Sequence, residues 1–397
     1  SSIDSRAATN VRYDEGERSI FRIANTDAAD GVLMLYDAFA KNQYEEIYDL
    51  VLNRYRCPIV NFRTPMEIES DRIYNVYVDD KAAFADMIQH FIDEHHCSKI
   101  DLVTGPQDNM HSMFRLDIYK EVLEQNGISV QKERIHWGNF WKNCGEGVVE
   151  EIQNSGVDFP EAIVCANDYM AISVIQALQA RGIKVPAQVL VSGYDNVVES
   201  RFSKPSVTTI RQPMRAMGRK AFEILERCWA GEKVEQDNYL KEEIVYRQSC
   251  GCGAEGGDEN GQYATKLSAE LDKVLYLETA ASAMVTMLAN AKDMNEYTDC
   301  LKQYVLRETG FKSFALCLAE HWEQKLPLPE KNYGTSMCKV DMVMGIHKSK
   351  VLKPERFPIC QMVPSEFARD SDPIYVIPLH YLQQYMGYAV LQIDYDL

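Results

Sequence analysis

The chain has 397 residues, 46% of them hydrophobic, and this length predicts two or three lobes rather than one domain. Acidic residues number 59 and basic residues 42, and the resulting net charge of −17 disfavours nucleic acid and anionic membranes as direct partners of this segment. There is neither a long apolar run nor a signal-peptide core, so we expect a cytoplasmic location, with the eleven cysteines reduced and mostly buried.

Short apolar runs rich in β-branched residues alternate with helical patterns from Asp30 to Arg211. Such alternation is typical of βαβ units around parallel sheets. The predicted strands are 31–35, 58–62, 99–104, 162–166 and 189–192, and two clear helical patterns cover 81–95 and 168–181. Ligands bind parallel sheets where strands end and helices begin, so the polar residues at those turns are candidates for a site.

A Gly-rich, acidic run without apolar periodicity predicts a domain boundary, with a linker at 253–262. A helix of about 25 to 30 residues follows, with apolar residues near heptad spacing from Leu267 to Leu288. This helix is either a signalling coiled coil joining two copies or a helix packed on its own domain. The tail predicts α+β structure, with strands at 313–319, 373–379 and 388–393, the last two forming an antiparallel hairpin.

A set of short motifs runs through the first 250 residues. The motifs are Gly105-Pro106 with Arg115-Leu116, residues 162–171 (Ala-Ile-Val-Cys-Ala-Asn-Asp-Tyr-Met-Ala), Val185-Pro186, Ser192-Gly193-Tyr194-Asp195-Asn196, residues 208–213 (Thr-Thr-Ile-Arg-Gln-Pro) and residues 248–252 (Gln-Ser-Cys-Gly-Cys). In order and spacing they resemble the ligand-binding domain of LacI-type transcriptional regulators, over about residues 13–252.

The resemblance implies a two-lobed, periplasmic-binding-protein-like α/β fold over residues 1–252, in which parallel sheets are flanked by helices. Lobe one would hold residues 1–95 and 214–247, and lobe two residues 96–212. The family's first strand, first helix and second strand have no counterpart before Tyr13, and its DNA-binding helix-turn-helix has none either, so we expect upstream residues to complete lobe one. Residues 263–397, comprising the helix and the tail, resemble a smaller α+β GAF-like domain.

The family pattern also implies ligand-binding side chains. Arg115, on the first turns of a helix, would hold two polar atoms of the ligand with its planar guanidinium; a surface ion pair is the alternative. Phe140 matches an aromatic position that lies against the apolar face of the ligand. Trp141 could take that role instead, and core packing is the other interpretation of Phe140.

Asn167 and Asp168 stand where a strand ends and a helix begins, so either could be the helix N-cap. We assign Asp168 to capping and, on the family likeness, Asn167 to ligand contact. Asp195 would accept hydrogen bonds from ligand hydroxyl or amino groups, or serve only as a turn residue. An arginine, an amide, a carboxylate and an aromatic ring suit a small polar ligand such as a sugar or a nucleoside.

The leading interpretation is a cytoplasmic, homodimeric small-molecule sensor, the input module of a transcriptional regulator or a diguanylate cyclase type protein. Its covalent output domain would lie outside this chain. A solute-binding protein of a transport system is the alternative, although such a protein would carry an export signal, few thiols and no appended domain. An enzyme with a site in the tail is a third hypothesis.

Other motifs carry residue types that could do chemistry. Residues 256–260 (Gly-Gly-Asp-Glu-Asn) look like a diguanylate cyclase signature but lack flanking strands. Cys250-Gly251-Cys252 and His95-His96-Cys97 contain metal-binding residue types, yet neither has a second ligand pair at zinc-like spacing. No nucleophile elbow, phosphate loop or metalloprotease motif is present, so we expect no catalytic residue, no metal and no cofactor.

Overall fold

The computed structural model describes residues 29–35, 52–53, 55–62, 70–253, 279, 282–307, 311–320, 322–324, 338–369, 372–381 and 384–393. The chain divides into two compact units. The large unit contains residues 31–44 and 57–267, and the tail unit contains residues 1–30, 45–56 and 268–397.

Short parallel strands form two sheets in the large unit, and two further strands form an antiparallel ribbon. The strands are β1 (Val32–Met34), β2 (Ile59–Phe62), β3 (Ile73–Val78), β4 (Ile100–Thr104), β5 (Ile135–Trp137), β6 (Ala162–Cys165), β7 (Leu190–Ser192), β8 (Thr209–Arg211), β9 (Asp237–Leu240) and β10 (Glu243–Val245). Sheet A has the order β1-β2-β3-β9, and sheet B has the order β5-β4-β6-β7. Strands β8 and β10 pair antiparallel, and we call this pair the hinge ribbon.

The large unit also contains six described α-helices: α1 (Asp80–Asp93), α2 (Met110–Gln125), α3 (Gly145–Asn154), α4 (Asp168–Ala180), α5 (Val198–Phe202) and α6 (Met214–Trp229). Helices cover both faces of sheet B, with α1 and α2 packed in one apolar cluster and α3 and α4 in another. Helix α6 packs on sheet A, where Met217, Ala221 and Ile224 contact the cluster around Val60 and Val76.

Helix α1 packs with sheet B. Its fully buried residues Phe84, Met87 and Phe91 share a cluster with Ile100 and Leu102 of β4. Residues 1–95 were predicted to belong to lobe one, yet α1, which lies in that range, packs with sheet B. The boundary between the lobes stays a prediction.

The hinge ribbon lies where the chain passes between the sheets. Strand β8 follows sheet B and leads into α6, while β10 follows β9 of sheet A. Helix α1, which begins directly after β3, contacts both strands of the ribbon. The chain therefore passes between the two sheets three times at this place, from β3 into α1, from β8 into α6 and from β9 into β10. Three adjacent connections of this kind are expected of a hinge.

All five strands and both helices predicted in this unit are confirmed to within a few residues. Strands β3, β5 and β9 and the hinge ribbon were not predicted. Strand β9 shows why, since its residues alternate between exposed and half-buried positions and include the polar Asp237 and Asn238.

The tail unit contains α7 (Met294–Arg307) and the strands β11 (Phe311–Ala319), β12 (Lys339–His347), β13 (Lys350–Val351), β14 (Glu355–Pro358), β15 (Tyr375–Tyr381) and β16 (Gln384–Ile393). The strands form an antiparallel sheet of order β13-β12-β11-β16-β15, with β14 also pairing with β12. The predicted α+β character and the β15–β16 hairpin are confirmed, whereas β12, β13 and β14 were not predicted. Among the described residues, no helix combines the length and apolar character needed to span a bilayer.

Two predictions fall largely outside the described residues. Of the linker at 253–262, only Gly253 is described. Of the helix between Leu267 and Leu288, the described part is Thr279 and 282–288, and residues 282–290 are helical. The choice between a coiled coil and a packed helix therefore stays open.

Candidate ligand-binding site

Sheet B presents the carboxyl ends of its parallel strands at a single edge, where the predicted ligand-binding residues lie. Phe140 follows β5, Asn167 follows β6 and Asp195 follows β7. Arg115 lies on α2, the helix that follows β4. The free backbone amides of the helix starts point toward the same edge, which makes it suited to polar ligands.

Arg115 is buried at this edge, with only 7% of its surface exposed. Its Nη1 donates a hydrogen bond of 2.5 Å to the carbonyl oxygen of Ala166, at the end of β6. Its guanidinium carbon lies 4.0 Å from the centre of the Tyr194 ring and 5.9 Å from that of Phe84. Arg115 therefore does not form the surface ion pair that was the alternative interpretation.

Tyr194 connects Arg115 to the hinge ribbon. Its hydroxyl donates a hydrogen bond of 2.7 Å to Oε1 of Glu242, which lies between β9 and β10. Gln212, just after β8, donates to the Tyr194 hydroxyl at 3.3 Å. The arginine, the tyrosine and the carboxylate thus form a continuous line from the strand ends of sheet B to the hinge.

Glu242 is a buried acid whose carboxylate can accept further hydrogen bonds. Its Oε2 has no hydrogen-bond partner among the residues the structure describes. Burial raises the pKa of Glu242 to about 7, and the nearby carboxylates of Asp80 and Asp195 add to the rise. This residue was not predicted, because Lys241-Glu242-Glu243 resembles a solvated run of charges in the sequence.

Asn167 is the N-cap of α4. Its Oδ1 accepts a hydrogen bond of 2.9 Å from the backbone N–H of Met170, and its Nδ2 donates to the Phe140 carbonyl oxygen at 2.9 Å. The assignment of the cap to Asp168 is therefore wrong. Both residue types are good caps, and the sequence could not choose between adjacent positions. The role of Asn167 in ligand contact stays a prediction.

Asp168 holds the neighbouring turn in place. Its buried carboxylate accepts hydrogen bonds from the Thr209 hydroxyl at 2.6 Å and from the backbone N–H of Val197 at 2.9 Å. Burial raises the pKa of this carboxyl to about 7. A Cβ at Gly193 would lie 2.2 Å from Oδ1 of Asp168, so the close approach requires glycine there.

Asp195, predicted to accept hydrogen bonds from the ligand, lies exposed on that turn. Its φ of 102° is rare for a residue other than glycine, and its backbone N–H donates to the Ile210 carbonyl oxygen at 3.0 Å. The anchored turn thus presents the Asp195 side chain beside the strand end that carries Tyr194.

Phe140 lies over the turn after β4. A Cβ at Gly105 would lie 2.1 Å from the Phe140 ring and 2.6 Å from Oγ of Ser112, which is on the helix of Arg115. Part of the ring packs against the α3–α4 cluster, so core packing contributes to its position. Trp141 is 67% exposed and stacks on Tyr169, with ring centres 6.4 Å apart. Tyr169 is in the first turn of α4, so both aromatic residues lie near the strand edge, and the choice between them for ligand contact stays a prediction.

Comparisons with known proteins agree with this architecture. Residues 88–250 match the family described as a periplasmic binding protein-like domain. The HTH-type transcriptional repressor PurR of Vibrio atlanticus (strain LGP32) is 28% identical over 213 residues, which cover 53% of this chain and 61% of PurR. The chain thus spans about three fifths of this relative's length.

Two solved structures share the fold. A complex of the transcriptional regulator CelR with cellobiose superposes with a TM-score of 0.50 at 25% identity, covering 59% of this chain and 69% of CelR. A regulatory protein of the LacI family from Chloroflexus aggregans gives a TM-score of 0.52 at 22% identity, covering 60% of this chain and 83% of that protein.

The large unit therefore has a two-lobed periplasmic-binding-protein-like fold, and its relatives are LacI-family regulators. These relatives do not support a diguanylate cyclase output. The family match ends at residue 250, so the GAF-like interpretation of the tail stays a prediction.

Proposed function

We propose that the large unit is the effector-binding domain of an intracellular, homodimeric transcriptional regulator of the LacI type, not an enzyme. It binds a small polar ring, sugar-like or nucleoside-like, between its two lobes. Arg115, Phe140, Asn167 and Asp195 contact that ligand, and the DNA-binding output lies outside the chain. The solved complex of the relative CelR with cellobiose supports a sugar as the first class to test.

The observation that carries this proposal is the line Arg115–Tyr194–Glu242. A ligand that draws the guanidinium toward itself changes the contact with the Tyr194 ring, and the Tyr194 hydroxyl binds a residue of the hinge. Occupation of the strand edge is thereby coupled to the rotation of the lobes. A transition of this kind needs a ligand that binds the two arrangements with different affinities.

The test is calorimetric titration of the whole chain with a panel of sugars, nucleosides and amino acids, beginning with cellobiose. Arg115→Ala removes a charge-assisted hydrogen bond worth about 1.5 to 3 kcal/mol, so the affinity for the ligand found should fall about 10- to 150-fold. Arg181→Ala is the matched control, because Arg181 pairs with Glu146 on α3, outside the strand edge. It should leave the affinity unchanged.

Asp195→Ala provides a second variant that does not disturb the core, since this side chain is exposed. Circular dichroism establishes that each variant is folded before titration. Wild-type affinity in both Arg115→Ala and Asp195→Ala would place the ligand elsewhere and overturn the proposed site. Failure of every compound in the panel to bind would count against the effector classes proposed.

A further inference from the structure

Four metal-ligating side chains meet in the large unit, away from the proposed ligand. They are His90 and His95 at the end of α1, and Cys250 and Cys252 at the end of the matched domain. One possible ligand atom from each residue lies within 4.8 Å of all the others. In the sequence, the cysteine motif and the histidine motif each lack a second ligand pair, and folding supplies that pair from a distant part of the chain.

The distances suit a tetrahedral metal ion. Nε2 of His95 lies 3.1 Å and Nε2 of His90 lies 3.5 Å from Sγ of Cys252. A zinc ion bound at about 2.0 Å from nitrogen and about 2.3 Å from sulfur places its ligands roughly 3.3 to 3.8 Å apart. Small side-chain adjustments bring all four atoms into that range.

The backbone shapes the cluster. His90 lies in the last turn of α1, and His95 follows just after the helix ends. Gly251 has a φ of 82°, a left-handed conformation that favours glycine and reverses the chain between the two cysteines. The cysteines therefore act as a chelating pair opposite the two imidazoles.

Neighbouring groups orient the ligands. The ring of Tyr246 packs on the imidazole of His90, with 4.4 Å between ring centres. The Thr208 hydroxyl donates a hydrogen bond of 3.0 Å to Sγ of Cys250. Contacts of this kind commonly fix the ligands of protein metal sites. Cys250 is buried while Cys252 is exposed, so an ion can enter from the solvent side.

We propose that His90, His95, Cys250 and Cys252 bind one Zn²⁺ that fastens the end of α1 to the segment where the chain leaves the domain. Two thiolates and two imidazoles are the donors of structural zinc sites, and they do not suit Mg²⁺ or Ca²⁺. On binding, each thiol releases its proton to solvent, each imidazole binds through Nε2, and the site becomes neutral overall. No electron is transferred.

The experiment uses the full chain, reduced and stripped with a chelator. Titration with Co²⁺ should give one equivalent per chain, with the visible bands of tetrahedral cobalt and a sulfur-to-cobalt charge-transfer band. Equimolar Zn²⁺ should bleach both. In Cys252→Ser and His95→Gln the affinity for Co²⁺ should fall at least about tenfold, since even changes in outer contacts have effects of that size.

Two control variants each remove an imidazole or a thiol that is not one of the four proposed zinc ligands. His96→Asn removes the adjacent imidazole at a position with φ of 56°, which asparagine tolerates, and Cys300→Ser removes a thiol of the tail unit. Both should retain the wild-type titration. Zn²⁺ should also raise the melting temperature of the wild type but not of Cys252→Ser.

Absence of stoichiometric Co²⁺ binding, or equal binding by wild type, Cys252→Ser and His95→Gln, would overturn the proposal. So would a Cys250–Cys252 disulfide, detected by mass spectrometry in protein purified with its thiols protected. Circular dichroism of each variant separates loss of the metal from loss of the fold. The ligand-binding proposal is tested independently by Arg115→Ala, which lies outside this cluster.

Discussion

Asp168 combines a structural role with an unfavourable charge. Its two hydrogen bonds connect α4, the Gly193–Val197 turn and β8, yet burial raises the pKa of its carboxyl to about 7. In the unfolded chain the pKa of an aspartate carboxyl is about 3.9, so the unfolded chain releases this proton first as the pH rises. The native state therefore loses stability between about pH 4 and 7, by an amount on the order of 4 kcal/mol. Glu242, with its pKa raised to about 7, adds an effect of the same sign.

Asp168→Asn should flatten this dependence, because the amide keeps an acceptor for the Val197 N–H and does not titrate. Urea denaturation of the large unit at pH 5 and pH 8 measures the difference in unfolding free energy. Asp158→Asn is the control. The pKa of the exposed Asp158 carboxyl is lowered by its hydrogen bond and charge interaction with Lys99, so it titrates below this window. A wild-type pH slope in Asp168→Asn would contradict the assignment.

Within sheet B, β5 is an edge strand fixed to β4 by buried charges. Asp101 on β4 is 1% exposed; Arg134 Nη1 lies 2.7 Å from its Oδ1 and His136 Nε2 lies 3.0 Å from its Oδ2. Asp101→Ala leaves the buried guanidinium without its counter-charge, so we expect a loss of about 3 to 5 kcal/mol in unfolding free energy.

Asp158→Ala is the matched comparison, since it removes an aspartate from the exposed pair with Lys99. Such surface pairs contribute at most about 1 kcal/mol. Urea denaturation at pH 7 compares the two variants. Equal losses would show that burial of the Asp101 network has no energetic consequence.

Elements with a strong apolar pattern were predictable from the sequence. Strands β4 and β6 are uninterrupted buried runs bounded by turns, and their periodicity sufficed. Strand β9 is joined to β3 partly by a polar contact, in which Asn75 Nδ2 donates to Asp237 Oδ1 at 3.0 Å; Asn75 Oδ1 in turn accepts a hydrogen bond of 3.2 Å from Asn61 Nδ2 on β2. Apolar periodicity in the sequence does not predict a hydrogen bond between side chains of two strands.

The site residues also divide into those that local sequence pattern predicts and those that only tertiary packing brings together. Strand ends placed Arg115, Phe140 and Asn167 at one edge, because topology alone brings the ends of parallel strands together. Glu242 lies between β9 and β10, outside sheet B, and reaches the site through Tyr194. The four proposed zinc ligands pair two histidines with two cysteines that are far away in the sequence. Tertiary packing creates both sets, so local spacing could not reveal them.

At the scale of the whole molecule, each unit encloses its own apolar core. In the large unit Phe84 and Ile100 share one cluster, while in the tail unit Cys317, Val340 and Phe367 share another. We therefore expect two transitions in differential scanning calorimetry, each sensitive to changes in its own core.

Gly387→Ala tests this expectation in the tail unit. Gly387 has a φ of 145°, and a Cβ there would lie 2.1 Å from the carbonyl oxygen of Cys317 on the neighbouring strand β11. Relieving that overlap requires β16 to move away from β11, so the tail transition should fall by several degrees or disappear, as expected for a loss of a few kcal/mol. The large-unit transition should remain where it is, whereas Asp101→Ala should lower that transition alone. If either variant shifted both transitions equally, the two cores would unfold as one, and independent units would be the wrong description.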